Sequence, residues 1–326
     1  MPDRHAPDLT EAEAWFVDHG LPYFVDDIRA QVHRGLSRHR LALVLLVAVL
    51  LASAVVAGFG LAGRGWGTGV VPGLNLGLLS ILLYALVTLR AGVIARWAAR
   101  RTFSSLGLLF PLVTRALPLL LLFVTFLFIN AEVWEVSATL EGSVMWLTVT
   151  MFLTITIGFL LVRLPEELAV FDEQIDPDQI ARHVEGTPLA PFHSDEGGAP
   201  DVAIGGLQKA NLVLMLLITQ LVQVVLLSLT VFAFFVAFGL LIMDPEVIRG
   251  WTGEERLTNL SFFERANWEL VQVSVFLAAF SGFYFTVYAV TDNNYRNQFF
   301  TKIMRELARV VGARICYREL RRRTDT

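Results

Sequence analysis

Six long apolar runs, joined by segments that alternate between arginine-rich and arginine-poor, constrain this chain more than any other feature. A helix needs about 20 apolar residues to cross a hydrocarbon core of roughly 30 Å. Unbroken apolar runs lack the alternation of barrel strands, so only helices fit the requirement that every backbone polar group in lipid be paired. The sequence therefore predicts an all-α membrane protein, a bundle of six transmembrane helices with amphipathic helices at both ends. The predicted spans are Leu41–Leu61, Val71–Leu89, Ala116–Val133, Met145–Val162, Leu212–Met243 and Leu270–Val290.

The charge distribution predicts the orientation of the bundle. Arginines concentrate before the first span, after the second and after the sixth, whereas the other short loops are glycine-rich or acidic. Because cytoplasmic loops carry the excess of Lys and Arg, we expect both termini to be cytoplasmic. Lys209 and Lys302 are the only lysines, and this preference for arginine is typical of a GC-rich bacterial genome. The expected location is therefore a bacterial plasma membrane.

These patterns divide the chain into five parts. Residues 1–40 form a cytoplasmic amphipathic segment, 41–162 the first four spans, 163–206 an acidic cytoplasmic loop, 207–290 the last two spans, and 291–326 a basic amphipathic tail. The fifth run is long, since Asn211 to Met243 would extend about 50 Å as a helix. It must tilt, bend or project into the cytoplasm, and the polar residues at its start favour projection.

Both terminal segments are expected to lie on the inner membrane surface. The N-terminal segment is predicted to form one or two amphipathic helices, broken at Gly20 and Pro22. The tail has apolar residues at helical spacing flanked by basic ones, and each basic residue near an anionic leaflet contributes about 1 kcal/mol to binding. We therefore expect contact with anionic inner-leaflet lipids. Nucleic acid is the weaker alternative for a basic helix, and no nucleic-acid partner is expected beside a membrane. The candidate lipid-contacting residues are Arg305, Arg309, Arg314 and Arg318.

Polar residues inside a span are functional candidates because they are costly in lipid. Gln220 and Gln223 share one face of the fifth span. They indicate either interhelical hydrogen bonds, which we favour, or a hydrated path near the middle of the membrane. Arg115 precedes the third apolar run, and we expect it to reach the cytoplasmic headgroups rather than lie buried.

Other residues mark the ends and contacts of the spans. Gly73 and Gly77 form a GxxxG motif, which predicts close helix packing within the bundle or in a dimer. Ser261 and Glu264 form a capping box that would start the last span near Phe262. Six tryptophans fall near span ends and are expected to lie at headgroup depth. These tryptophans are Trp66, Trp97, Trp134, Trp146, Trp251 and Trp268.

Catalytic patterns are missing from the apolar runs. No histidine lies in a predicted span, and no Asp or Glu lies near mid-bilayer, so haem ligation and a carboxylate proton relay are not expected there. No HExxH motif or activated nucleophile is present, and the single cysteine, Cys316, excludes a disulfide framework. We predict no metal, no cofactor and no enzymatic activity.

The chain contains one short internal similarity and one resemblance to known membrane proteins. Residues 128–133 resemble residues 242–247, each at the end of a span. An inverted repeat of three spans plus three, typical of a transporter, stays open on span count alone. The stretch Gly20–Phe24, with Asn211, Leu212, Gln220, Gln223, Phe234 and Phe235, resembles a group of uncharacterised actinobacterial multi-pass integral membrane proteins. That resemblance implies a membrane location and no particular activity.

Two functions therefore remain. The first, ranked slightly ahead, is a non-enzymatic membrane scaffold or accessory subunit that contacts a membrane-protein partner or a second copy of itself. The second is a channel or transporter with a polar path past Gln220 and Gln223.

Overall fold

The structure is a computed structural model that describes residues 9–104, 121–140, 142–174, 187–189, 205–253, 257–260, 266–291, 309–318 and 320–321. Within these ranges the chain is helical apart from turns and an isolated bridge between Asn259 and Asn267, so the predicted all-α class is confirmed. The helices are α1 (Leu9–Asp18), α2 (Asp26–Gly35), α3 (Arg38–Leu61), α4 (Val70–Thr88), α5 (Ala91–Ser104), α6 (Leu121–Phe128), α7 (Ala131–Ala138), α8 (Ser143–Gln174), α9 (Gly206–Ile242), α10 (Pro245–Thr252), α11 (Trp268–Thr291) and α12 (309–318).

Five of the described helical segments are long and apolar enough to cross a membrane. These segments are Arg38–Leu61, Gly67–Thr88, Ser143–Pro165, Gly206–Ile242 and Trp268–Ala289. The count is six if α6 and α7, which meet at a bend of 73°, form one span. The predicted third span, Ala116–Val133, is interrupted, because α6 ends at Phe128 and α7 begins at Ala131. Asn130 leaves the helical conformation (φ −99°, ψ 119°), and its side chain accepts a hydrogen bond from the Glu132 N–H at 2.8 Å. It thereby caps a new helix.

The α3–α4 hairpin is packed through small residues. A Cβ placed on Gly73 would lie 2.7 Å from the carbonyl oxygen of Ala52, and one on Gly77 would lie 3.3 Å from that of Ala48. The predicted close approach at the GxxxG motif is therefore confirmed, and the motif is used within one chain. Asn75 on α4 donates to the Ser143 carbonyl oxygen at 3.0 Å, which ties this hairpin to the start of α8.

Helices α6, α8, α9 and α11 form the main bundle. Leu270 packs on Gly239 and Gly282 packs on Ser228, so α9 and α11 run antiparallel. The centre is apolar and aromatic, and Phe128 stacks on Phe235 with ring centroids 4.8 Å apart. Fully buried side chains here are Val124, Phe128, Val231, Phe235, Val273 and Leu277.

A cap layer made of α7 and α10 covers one end of this bundle. Both are eight-residue helices, and Asp244 caps α10 as Asn130 caps α7, each accepting an N–H two residues ahead at 2.8 Å. The sequence similarity between residues 128–133 and residues 242–247 thus corresponds to a local structural repeat. Phe123 stacks on Tyr284, which is two residues from Gly282 and so near the level of Ser228, whereas Phe128 stacks on Phe235. α6 and α9 therefore run in the same direction, and the repeat relates segments that run in the same direction.

The cap layer changes the interpretation of one tryptophan. Trp134 was expected at headgroup depth, but its side chain is 0% exposed, so that expectation is wrong. Its Nε1 donates to the Phe128 carbonyl oxygen at 2.6 Å, and its ring lies 6.2 Å from that of Trp251. Trp66 and Trp146 remain more than half exposed, as a headgroup position requires.

The start of the last helix also differs from expectation. α11 begins at Trp268, and the side chain of Asn267 accepts the Leu270 N–H at 2.8 Å. Asn267 is therefore its N-cap. The Ser261–Glu264 capping box lies outside the described residues.

Candidate functional site

The terminal layer lies at the opposite end of α9 from the cap layer. We use this name for α1, α2, α5, the first third of α9 and α12, together with the turn that joins α1 to α2. These segments share one hydrophobic core, in which Phe16, Leu212 and Val311 are at most 2% exposed. The long α9 helix has 37 residues, about 55 Å, and therefore extends beyond a core of roughly 30 Å. Its first third packs in the terminal layer.

One buried side chain joins the N-terminal segment to α9. Asn211, 0% exposed, accepts the Tyr23 N–H through Oδ1 at 2.7 Å and donates through Nδ2 to the Gly20 carbonyl oxygen at 3.1 Å. The turn is sharp because Gly20 has φ +75°, a conformation that side chains disfavour. Trp97 of α5 packs directly on Gly20. The segments Gly20–Phe24 and Asn211–Leu212, far apart in sequence, are thus in contact with each other.

Tyr23 extends this junction to the end of α4. Its hydroxyl donates to the Leu89 carbonyl oxygen at 2.6 Å, and burial raises its pKa. Tyr84 of α4 likewise donates to the Gly35 carbonyl oxygen at 2.8 Å. The N-terminal segment is therefore fixed to α9 by buried hydrogen bonds and to α4 by partly buried ones, as well as by apolar contacts.

Helix α12 packs on the N-terminal segment. The Tyr317 ring lies 5.5 Å from that of Phe16, and its hydroxyl donates to the Glu13 carboxylate at 2.8 Å. Burial, followed by this hydrogen bond, raises the pKa of Tyr317, and burial raises the pKa of the Cys316 thiol to about 11. The apolar face of α12 thus packs on protein, although lipid was expected there. Its buried residues are Val310, Val311, Ala313, Cys316 and Tyr317.

Contact between the two terminal segments also bears on topology. Segments that touch lie on one side of the bundle, and a chain whose ends lie on one side crosses the membrane an even number of times. Glu13 and Tyr317 are such a contact. Among the candidate counts of five and six, this contact agrees with six.

A cavity of about 970 Å³ opens in the terminal layer between α2, the start of α9 and the region of α12. The charged residues that line it are Asp26, Arg29, Arg34, Arg314, Arg318 and Arg321. Asp26 forms ion pairs with Arg29 and Arg321. The described lining therefore carries five guanidinium groups and one carboxylate. We call it the basic cavity.

The basic cavity gathers some of the residues singled out from the sequence. Arg314 is only 7% exposed and lines the cavity with Arg318, while Arg309 is half-buried elsewhere on α12. Arg305 and Arg115 lie outside the described residues. Sequence reasoning missed Arg29, Arg34 and Arg321, because only the contact between α2 and the chain's end brings them beside Arg314.

The two glutamines occupy the middle of α9. Gln220 is 7% exposed and Gln223 is half-buried. Gly282 lies beside Ser228, and α11 ends about nine residues later at Thr291, which is near the level of Gln220. Gln220 therefore lies level with the end of α11 that faces the terminal layer, between the two hydrophobic cores, and not level with the middle of α11.

Neither composition nor comparison assigns a chemistry to these features. Within the described ranges, no three His, Cys, Asp or Glu side chains lie close enough together to hold a metal ion. No protein-family model matches the chain, and no curated protein or solved structure is detectably similar to it.

Proposed function

We propose that this protein is a non-enzymatic scaffold or accessory subunit of a bacterial plasma membrane, with both termini in the cytoplasm. The bundle would anchor the chain, and the terminal layer would contact a membrane-protein partner or a second copy. The observation that carries this proposal is that the terminal layer has a packed core of its own, built largely from segments outside the apolar spans. Anchoring in a bilayer alone does not require a packed layer outside the spans.

The packing of the bundle interior favours the scaffold proposal over a transport function. The side chains where α6, α9 and α11 meet are tightly packed, and Phe128, Phe235 and Leu277 are fully buried. Gln220 is the feature that favours the alternative, a channel or transporter, because a buried amide at the junction of two cores could border a polar path.

Purification from the native membrane in mild detergent tests the scaffold proposal. We expect a protein partner, or a second copy, at stoichiometric amounts with the wild type. The Asn211→Ala variant, in which the terminal layer is expected to loosen, should no longer co-purify with that partner or second copy. Asn75→Ala is the matched control, since it removes one hydrogen bond on α4 at the other side of the bundle and should keep the partner.

The outcome that contradicts the proposal is equally specific. A partner retained by Asn211→Ala and the control alike would exclude the terminal layer as the contact. A flux carried by the wild type and lost in the double variant Gln220→Leu, Gln223→Leu, with the fold intact, would favour the transport alternative.

A further inference from the structure

A long stretch of the chain carries positive charge and no negative charge. Residues 28–131 contain ten arginines but no Asp or Glu. The helices α3, α4 and α5 lie entirely within this stretch, so their arginines have no acidic neighbours in the sequence. Four of these arginines are exposed at the end of the bundle that carries the terminal layer, namely Arg38, Arg40, Arg96 and Arg100. We call these four residues the arginine collar.

Hydrogen bonds and packing bring the start of α3 and the end of α4 to the same level. Tyr84 of α4 donates to the Gly35 carbonyl oxygen at 2.8 Å, and Gly35 packs directly on Thr88. Arg90, in the turn that joins α4 to α5, donates to the Gln31 side chain at 2.6 Å. Gly35 lies three residues before α3, and Thr88 ends α4. The first turn of α3 and the beginning of α5 therefore lie at the same level of the bundle.

Helix α5 is amphipathic and turns its basic face outward. Its buried residues Ala91, Ile94 and Ala98 share one face, and the helix packs on α9. Arg96 and Arg100 are four positions apart on the opposite face, and both are exposed. They lie about 8 Å and about 14 Å from the start of α5, so long side chains on this face can reach back toward the end of α4.

The surroundings of α5 place it beside the ends of the spans. Ile94 is fully buried in a hydrophobic core that also contains Leu160 and Leu164. Both leucines lie in the last two turns of Ser143–Pro165, the segment of α8 that is apolar enough to cross a membrane. The basic face of α5 is therefore close to the level at which the apolar segment of α8 ends.

The hairpin that carries half of the collar has apolar sides that only a bilayer would cover. Ala48 is the only buried residue of α3, a helix that lies wholly within the described ranges. Arg38 and Arg40 lie in the first turn of this helix, immediately before its apolar run begins at Leu41. Lipid tails cover such a helix in a membrane, so phospholipid headgroups surround its end.

We propose that the arginine collar binds the headgroups of anionic phospholipids in the leaflet nearest the terminal layer. Guanidinium groups form bidentate hydrogen bonds with phosphate oxygens, and an anionic leaflet attracts basic residues that lie close to its surface. The collar offers four guanidinium groups at that level, with a charge that complements such a leaflet. This proposal rests on the membrane position of α3 and α4, and it is independent of any partner of the scaffold.

The lipid selectivity of the full chain tests this proposal. The protein is reconstituted in vesicles that contain equal amounts of phosphatidylcholine and phosphatidylglycerol, extracted with a limited amount of neutral detergent, and purified. Mass spectrometry then measures the ratio of the two lipids that stay bound. We expect an excess of phosphatidylglycerol with the wild type. Salt at about 1 M should reduce this excess, because the Debye length is then about 3 Å.

Two pairs of glutamine substitutions locate the binding surface. Arg96→Gln with Arg100→Gln should lower the excess of phosphatidylglycerol about fivefold, since two of the four collar charges are lost. Arg64→Gln with Arg249→Gln is the matched control, because it removes the same charge from exposed positions at the opposite end of the spans. Arg249 already pairs with Glu246 there, at 3.8 Å. The control pair should retain the wild-type ratio.

A pair of lysine substitutions separates loss of charge from loss of structure. Arg96→Lys with Arg100→Lys keeps both charges and should retain most of the excess. Co-purification of a scaffold partner should be unchanged in all of these variants. Equal retention of the two lipids by the wild type, or the same loss in both glutamine pairs, would overturn the proposal. A loss in the lysine pair as large as that in Arg96→Gln with Arg100→Gln would overturn it as well.

Discussion

The Asn211 side chain accepts the backbone N–H of Tyr23 at 2.7 Å, across 188 positions of sequence. Its amide also donates to Gly20, so one side chain satisfies both polar groups of the turn that starts the terminal layer. A buried backbone group left without a partner costs about 1–3 kcal/mol. Loss of the Asn211 side chain should therefore weaken the attachment of the N-terminal segment.

Replacing Asn211 by Ala should open the terminal layer more often, because it leaves the Tyr23 N–H and the Gly20 carbonyl oxygen buried without a partner. The single cysteine of the chain, Cys316, reports on this directly, since it is 1% exposed. We expect its alkylation in detergent to be about tenfold faster in the variant. The Asn75→Ala control should alkylate at the wild-type rate, and equal acceleration in both variants would contradict this role of Asn211.

A methyl group at Gly73 should destabilise the α3–α4 hairpin. It would lie 2.7 Å from the carbonyl oxygen of Ala52, too close for a carbon atom. We expect Gly73→Ala to lower the thermal unfolding temperature in detergent. Gly58→Ala is the control, because nothing lies within 4 Å of a Cβ there, and Ala favours a helix over Gly by about 1 kcal/mol. A stabilised Gly73→Ala would show that the two helices are not so close.

The two caps of the cap layer should each contribute about 1 kcal/mol to stability. Asn130→Ala and Asp244→Ala each remove a side-chain acceptor that holds an N–H at 2.8 Å. Ser37→Ala is the matched control, since Ser37 precedes α3 without making a capping hydrogen bond. Unfolding monitored by circular dichroism should show two destabilised variants and one unchanged; a loss at Ser37 alone would refute the assignment.

Alkaline pH should destabilise the terminal layer. Burial raises the pKa of the Cys316 thiol from 9.0 to about 11, so between these values the unfolded chain binds fewer protons than the native chain. Stability therefore falls as the pH rises through this range, and the full contribution of the thiol is present below pH 9. The unfolding temperature of Cys316→Ala should fall less steeply from pH 9 to 11. An identical slope in both proteins would contradict the burial of the thiol.

Hydropathy was enough to predict an all-α protein with five or six helices that are long and apolar enough to cross a membrane. The four-residue spacing of Gly73 and Gly77 was enough to predict a close helix pair. These signals are local in sequence. Trp134 shows the limit of local sequence signals. A tryptophan near the end of an apolar run has the same sequence pattern whether its side chain faces headgroups or a neighbouring helix. The cap layer that buries it depends on the contact of α7 with α10.

The terminal layer was harder to predict for a related reason. An amphipathic helix such as α12 has one apolar face, and its pattern does not say whether lipid or protein covers that face. The partners of α12, around Phe16, lie some three hundred positions away. The basic cavity depends on the same contact, so the sequence predicted a basic face with Arg314 and Arg318 but not the cavity that they line.

Labelling of single cysteines in intact cells tests most directly the proposed topology, in which both terminal segments lie together on the cytoplasmic side of a six-span bundle. In a Cys316→Ala background, cysteines replace Glu11, Thr68 and Arg318 in turn, all exposed positions. A membrane-impermeant maleimide should label the Thr68→Cys protein in intact cells and label the other two only after permeabilisation. Opposite behaviour of the Glu11→Cys and Arg318→Cys proteins would contradict the account, because the two termini would then lie on different sides of the membrane.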